Sequence, residues 1–286
     1  MDKLRLEPTA ALVMLWALSL YNEEPVLRFV RQLDVSSGYP LYNKCDAVCN
    51  WYSQVILNRK SFVRHLIEQK LLTTKWQYQL VFLAAGMSPL SIEILSTYSQ
   101  KVHRIFEVDI SGVEDKRRLY YKLFPKFRDK LKCINADIAT TNILDILDSP
   151  DFGYRRDLPS IVLMEGISYY LSRQELKNIL ASFTVERGSI FIIEYLIPYQ
   201  YVCQARRPIP KKVFKIIQED CGLGEITSYT KDELRSLLRE NGGDLIASYC
   251  MRDMELTRTG ANTYFKKSSD GWIECVVGKI GTSKAT

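Results

Sequence analysis

Gln79-Leu80-Val81-Phe82-Leu83 runs directly into Ala84-Ala85-Gly86-Met87-Ser88-Pro89, and Leu90–Tyr98 then carries a helical pattern. A four-residue apolar run after Gln79, bounded by a Gly/Pro turn, reads as a buried strand, and the segment after the turn as the helix of a strand–turn–helix unit. The unit recurs. Val102–Val108 closes on Asp109, with a helix from Val113, and Lys132–Asn135 closes on Asp137. Ser160–Met164 closes on Glu165-Gly166 and is succeeded by a helix over Ser172–Ser182, and Ser189–Ile193 closes on Glu194. Such repetition predicts an α/β fold built on a mostly parallel, doubly wound, Rossmann-like sheet. Ligands of such sheets bind in the crevice beyond the carboxyl ends of the strands. Gly86, Asp109, Asp137 and Glu165 all stand at those ends.

On the N-terminal side, helices are expected over Thr9–Tyr21, Glu24–Leu33 and Ala47–Gln69, with a loop at Val35–Asn43 rich in Ser, Gly, Pro and Asn. The apolar run Ala10–Leu20 is too short for a bilayer, which takes about 20 residues. It is flanked by mixed charges and no clean cleavage site, so a buried helix is expected rather than a signal segment. On the C-terminal side the periodicity lapses from Pro198 to about Gly224, apart from a helix at Lys211–Asp220. Lys231–Glu240 is a helix capped by Thr230 and stopped by Gly242-Gly243. Leu245–Cys250 and Trp272–Val277 read as closing strands, with Arg258–Asp270 as a hairpin loop. The expected organisation is an N-terminal helical cap over 1–75 and a sheet domain over 76–286, with a lid insertion at 197–228.

Apolar residues make up 47% of the 286 and charged residues 25%, an ordinary globular composition that excludes disorder. The net charge of +6 is scattered. Lys116-Arg117-Arg118, beside Glu114 and Asp115, reads as a solvated helix face, and no nucleic-acid partner is expected. Seven cysteines without a CxxC pair fit buried free thiols and a reducing cytoplasm better than a disulfide scaffold. His65 and His103 lack companions at metal spacing, and Cys45-x3-Cys49 stands alone, so no metal site is expected.

The small residues of the 84–86 turn suit close passage of backbone beside a nucleoside. A G-x-G-x-x-G fingerprint is absent, which disfavours a nicotinamide enzyme. Asp109 can accept both hydroxyls of a ribose, or serve as an acid at the start of the next helix. Asp137 faces the position of an adenine amine, or caps the helix near Thr140. Glu165, ending a buried strand, calls for a cationic or amino partner.

Taken in register, Asn58-Arg59-Lys60-Ser61-Phe62-Val63-Arg64, Leu83-Ala84-Ala85-Gly86-Met87, Phe106-Glu107-Val108-Asp109 with Lys116, Ala136-Asp137-Ile138, and Pro159–Gly166 with Tyr169-Tyr170-Leu171 resemble the leucine carboxyl methyltransferase family. Order and spacing agree over about residues 50–195. The resemblance implies a class I methyltransferase fold and S-adenosyl-L-methionine as methyl donor, released as S-adenosyl-L-homocysteine. It implies that Arg64 contacts the methionyl carboxylate and that Ala84, Ala85 and Gly86 pass beside the methionine moiety. Asp109 would hold the ribose, Asp137 and Ile138 would frame the adenine, and Glu165 with Gly166 would face the amino-acid portion. Arg59 and Tyr169 would lie near methyl transfer. The family's usual L-G-A-G-x-D reads Leu83-Ala84-Ala85-Gly86-Met87-Ser88 here; Ala84 is accommodated in place of the first Gly provided its φ is negative.

The expected reaction is in-line transfer of methyl to a carboxylate on a small molecule or peptide, which needs no general base because the nucleophile is already ionised. The scarcity of histidine agrees with that. Methylation of a hydroxyl or carbon acid, and a non-catalytic donor-binding homologue, are the rival readings. Tyr199, Tyr201, Arg206 and Arg207 of the lid are expected to shape the acceptor pocket.

Overall fold

The computed structural model describes residues 3–183 and 188–281. The N-terminal layer comprises β1 (Leu4–Arg5), α1 (Pro8–Ala17), α2 (Val26–Val30), β2 (Leu33–Asp34), α3 (Tyr39–Val48) and α4 (Ser53–Thr73). Next along the chain are β3 (Tyr78–Leu83), α5 (Leu90–Tyr98), β4 (Val102–Asp109), α6 (Val113–Leu123), β5 (Leu131–Asn135) and α7 (Ile143–Leu147). After these come β6 (Ser160–Met164), α8 (Arg173–Ser182), β7 (Ser189–Leu196), α9 (Pro208–Cys221), α10 (Lys231–Glu240), β8 (Gly243–Tyr249), α11 (Met251–Thr259) and β9 (Ile273–Ile280).

The main sheet has seven strands in the order β5-β4-β3-β6-β7-β9-β8. Its first five strands are mutually parallel, and β9 runs antiparallel between β7 and β8. Every residue of β3 and β6 is buried, as a parallel sheet covered on both faces requires. The chain leaves β3 toward β4 and β5, then returns to place β6 on the other side of β3. The crevice between the ends of β3 and β6 is therefore the topological switch point.

Several boundaries differ from the sequence expectation. The segment read as a loop at Val35–Asn43 contains a 3-10 turn (Ser36–Gly38) and the start of α3. Pro40 sits in the first turn of that helix, where its missing N–H costs nothing. The expected helix Glu24–Leu33 shortens to α2, and Leu33 joins β2 in a parallel pair with β1. The expected Ala47–Gln69 helix breaks at Cys49–Tyr52, so α4 begins at Ser53. The hairpin region Arg258–Asp270 is preceded by an unforeseen helix, α11, that packs along α4.

The run Ala10–Leu20 is buried through Ala17: α1 is apolar nearly all round, with Ala11, Leu12, Met14, Trp16 and Ala17 in the core, whereas Leu18 and Ser19, in the 3-10 turn that follows, are exposed. Among the described residues, no helix is long and apolar enough to cross a membrane.

Candidate active site

Three elements converge on the switch point. From β3 comes the 84–86 turn, whose shape is set by two residues with positive φ, Ala84 at 53° and Gly86 at 49°. The negative φ expected for Ala84 is thus not found, and an L-residue in this region is strained by about 1–2 kcal/mol. Surrounding contacts hold it there. The Ala85 N–H donates to Val108 O at 3.1 Å, and the Ser88 N–H to Ala85 O at 3.2 Å.

From β4 comes Asp109. Its Oδ2 accepts the Gly86 N–H at 2.7 Å, and its Oδ1 accepts the N–H groups of Ile110 (2.8 Å) and Ser111 (3.2 Å). The carboxylate is fixed against the turn, and a narrow crevice opens beside it, lined by Ala85, Gly86, Asp109, Ser111, Val113 and Lys116 among others. Asp137, after β5, lies one strand further out, with Oδ1 accepting the Ala139 N–H at 2.9 Å. Ile138 beside it is buried.

From β6 comes Glu165-Gly166. Glu165 accepts from Lys60 Nζ at 2.6 Å, and both side chains are nearly buried. Burial pushes the Glu165 carboxyl upward, but Lys60 and Arg59 together outweigh that and hold it below its ordinary range. Gly166, at φ 72°, lies against Arg59: a Cβ there would meet Arg59 Nη2 at 3.0 Å.

Arg59 itself donates from Nε (3.0 Å) and Nη2 (2.6 Å) to Glu194 Oε2 at the carboxyl half of β7. The same oxygen accepts the Gly166 N–H at 3.1 Å. Burial drives the Glu194 carboxyl up, offset only in part by Arg59. The Tyr169 hydroxyl lies beside Arg59. Its ring packs edge-on against Phe214 of α9 at 5.2 Å. Two adjacent residues of α4 therefore bind two adjacent strand ends, which seats the helix on the sheet.

Of the residues singled out from sequence, Arg59, Ala84, Ala85, Gly86, Asp109, Glu165, Gly166 and Tyr169 share this region. Arg64 is paired with acids at the edge of this region: its Nε donates to Glu68 at 2.8 Å and its Nη1 to Glu93, in the first turn of α5, at 2.7 Å. Two carboxylates already neutralise it. Lys60 and Glu194 receive no role from sequence reasoning, although each stands within a stretch that it singles out; their significance lies in partners 105 and 135 residues away.

Of the residues expected to form a lid, the two arginines are committed to structural contacts. Arg206 stacks on Trp51 and Phe265, Arg207 donates to the carbonyls of Val202 and Gln200, and Tyr201 is exposed. Tyr199 lies under Lys211. The solvated reading of 116–118 holds for Arg117 and Arg118, which pair with Glu114 and Asp115. It fails for Lys116, which is buried. The described residues contain no group of three or more His, Cys, Asp or Glu arranged to hold a metal.

The sequence profile of the leucine carboxyl methyltransferase family matches residues 31–184. Among curated proteins, none matches this sequence. A solved structure of a candidate methyltransferase from Thermobifida fusca superposes with TM-score 0.68 at 15% identity, covering 97% of this chain and 96% of that one. A DUF574 family protein from Streptomyces avermitilis gives TM-score 0.64 at 10% identity, covering 96% and 98%. At these identities the likeness is one of fold.

Proposed function

The chain belongs to the leucine carboxyl methyltransferase family and is an S-adenosylmethionine-dependent methyltransferase, and on that premise we propose that its acceptor is a carboxylate, on a small molecule or peptide, which becomes a methyl ester. One observation carries the choice of acceptor. His65 packs beside Phe62 in a groove shared with Ser248, Tyr249 and Leu256, and His103 lies at the opposite end of β4 from Asp109. The carboxylates of the site are held by Arg59, Lys60 and backbone N–H groups. No described imidazole stands ready to take a proton from an acceptor. A carboxylate, ionised at neutral pH, needs no such base.

The residues present suit the donor. On this reading Asp109, at the end of β4, takes the ribose diol, and Asp137 with Ile138, after β5, takes the adenine. Ala84, Ala85 and Gly86 offer backbone without obstruction: a Cβ on Gly86 would meet nothing within 4 Å. Lys60 and Glu165 carry the opposite charges that a methionyl carboxylate and ammonium require. We assign the carboxylate contact to Lys60, with Arg59 behind it, because Lys60 rather than Arg64 reaches the end of β6. The donor supplies an electrophilic methyl group on a sulfonium. The chain contributes orientation and exclusion of water. On this reading Arg59 and Tyr169, which lie beside Gly166, orient the acceptor.

Cytoplasmic residence goes with this reading. All seven cysteines are free, as a reducing compartment keeps them. The test is a panel of carboxylic acids and peptides incubated with methyl-labelled donor. Label released by mild base supports the ester. Base-stable label on a hydroxyl or carbon acceptor overturns the carboxylate assignment. Calorimetry with Asp109→Ala should show donor affinity at least about tenfold weaker, as loss of charge-assisted hydrogen bonds implies.

A further inference from the structure

Lys116 is the most deeply buried lysine of the turn's surroundings, with its side chain 4% exposed. Its Nζ lies 2.7 Å from Gly86 O and 2.7 Å from Glu107 Oε2. Glu107, buried on β4, uses its other oxygen to accept from the hydroxyls of Ser91 on α5 and Tyr120 on α6. The Tyr120 hydroxyl also reaches Ser88 O at 3.3 Å. Gly112, just before α6, packs so closely beneath Met87 that a Cβ would meet its Cε at 2.8 Å. The turn is thus held from above through the Gly86 N–H by Asp109 and from below through the Gly86 carbonyl by Lys116.

We propose that Lys116, locked by Glu107, is a positioning residue for the donor: its amine on the Gly86 carbonyl fixes the 84–86 backbone in the conformation that meets the methionyl part. This rests on the methyltransferase reading above, since it names what that reading's turn requires. Two observations support it. The turn is strained at Ala84, and strain of this kind persists only where neighbours over-determine the backbone. A buried ion pair seldom adds net stability, which points to geometry as what it secures here.

The experiment uses Lys116→Met with Glu107→Gln in one chain. The paired change leaves no unpartnered buried charge, and the Gln amide keeps an oxygen for Ser91 and Tyr120. It should fold with the wild-type circular dichroism spectrum. Amide exchange at Gly86, Met87 and Ser88 in the donor-free protein should accelerate about tenfold or more, while exchange in the interior of α6 stays as it was. Donor affinity by calorimetry should fall about 10- to 100-fold, the range expected for one charge-assisted bond. At saturating donor, turnover should change far less than the KM for donor. A folded variant with wild-type exchange at 86–88 overturns the proposal, as does one with faster exchange but wild-type donor affinity. If the wild-type chain itself fails to bind donor, the functional reading falls instead, and the exchange measurement still decides whether Lys116 holds the turn.

Discussion

At Lys60 and Glu165 the same contact both stabilises the fold and guards the site. Burial alone would push the Lys60 amine down and the Glu165 carboxyl up. Each partner more than reverses this, leaving Lys60 above its ordinary 10.5 and Glu165 below its ordinary 4.5. A depressed carboxyl favours the folded state above its unfolded value, and that contribution is lost as pH falls through the folded one. A raised amine favours the folded state below its unfolded value and loses that contribution as pH climbs through the folded one. The pair is one interaction, complete between about pH 4.5 and 10.5. Lys60→Met should therefore cost about 3–5 kcal/mol at pH 7, because it strands a buried carboxylate. The penalty should shrink below about pH 4.5, where Glu165 of the variant is readily protonated. Urea melts at pH 7 and pH 4 compare the two, and an equal penalty at both would refute the assignment. The position of Glu165 at a strand end was legible in the sequence. Its partner was not, since nothing along the chain tells Lys60 apart from Arg64 until α4 is laid on the sheet and one cation faces β6 while the other faces Glu68 and Glu93.

Elements were legible to the extent that they are periodic and apolar. β3, β6 and β7 announce themselves because both their faces are covered and the run is unbroken. α11 does not. Met251, Met254 and Glu255 are its buried residues, and Glu255 is held by the N–H groups of Tyr264 and Phe265 rather than by any stripe of apolar neighbours. A helix anchored by a buried acid leaves no hydrophobic period to read. The loop expected at Val35–Asn43 hides a different constraint, at Gly38. A Cβ there would come within 2.7 Å of Ala11 C and Leu12 N, both backbone atoms of α1. The turn before α3 is pressed onto α1, and neither atom can yield without moving the helix. Gly38→Ala should destabilise the protein by about 1–3 kcal/mol, the usual cost of overpacking. Equilibrium denaturation would show it as a lower midpoint with an unchanged slope. A wild-type midpoint would mean that α1 is free to slide, contrary to its burial.

At the scale of the molecule, the residue-75 boundary expected from the change in pattern marks a change of architecture, yet the core crosses it. Buried residues from Leu6 and Trp16 through Ile67 to Trp272 and Ile280 form one continuous cluster. Trp16 packs on Tyr52 at 4.9 Å, and Tyr52 on Trp272 at 5.6 Å, so the N-terminal layer reaches the last strand by stacked rings. Arg59 and Lys60 supply the two cations that meet Glu194 and Glu165. A chain beginning at residue 76 would keep both carboxylates and lose both partners, along with the apolar cover of the sheet. Desolvated charge without a partner costs several kcal/mol per ion, comparable to the roughly 5–15 kcal/mol by which whole domains are stable. The 76–286 fragment should therefore fail to give a cooperative unfolding transition, and in the intact chain the helical layer and the sheet should melt together. Calorimetry combined with near-ultraviolet dichroism at the stacked tryptophans tests both statements. A fragment that unfolds sigmoidally, or an early separate melt of the N-terminal layer, would show that the cap is an independent domain resting on a finished sheet.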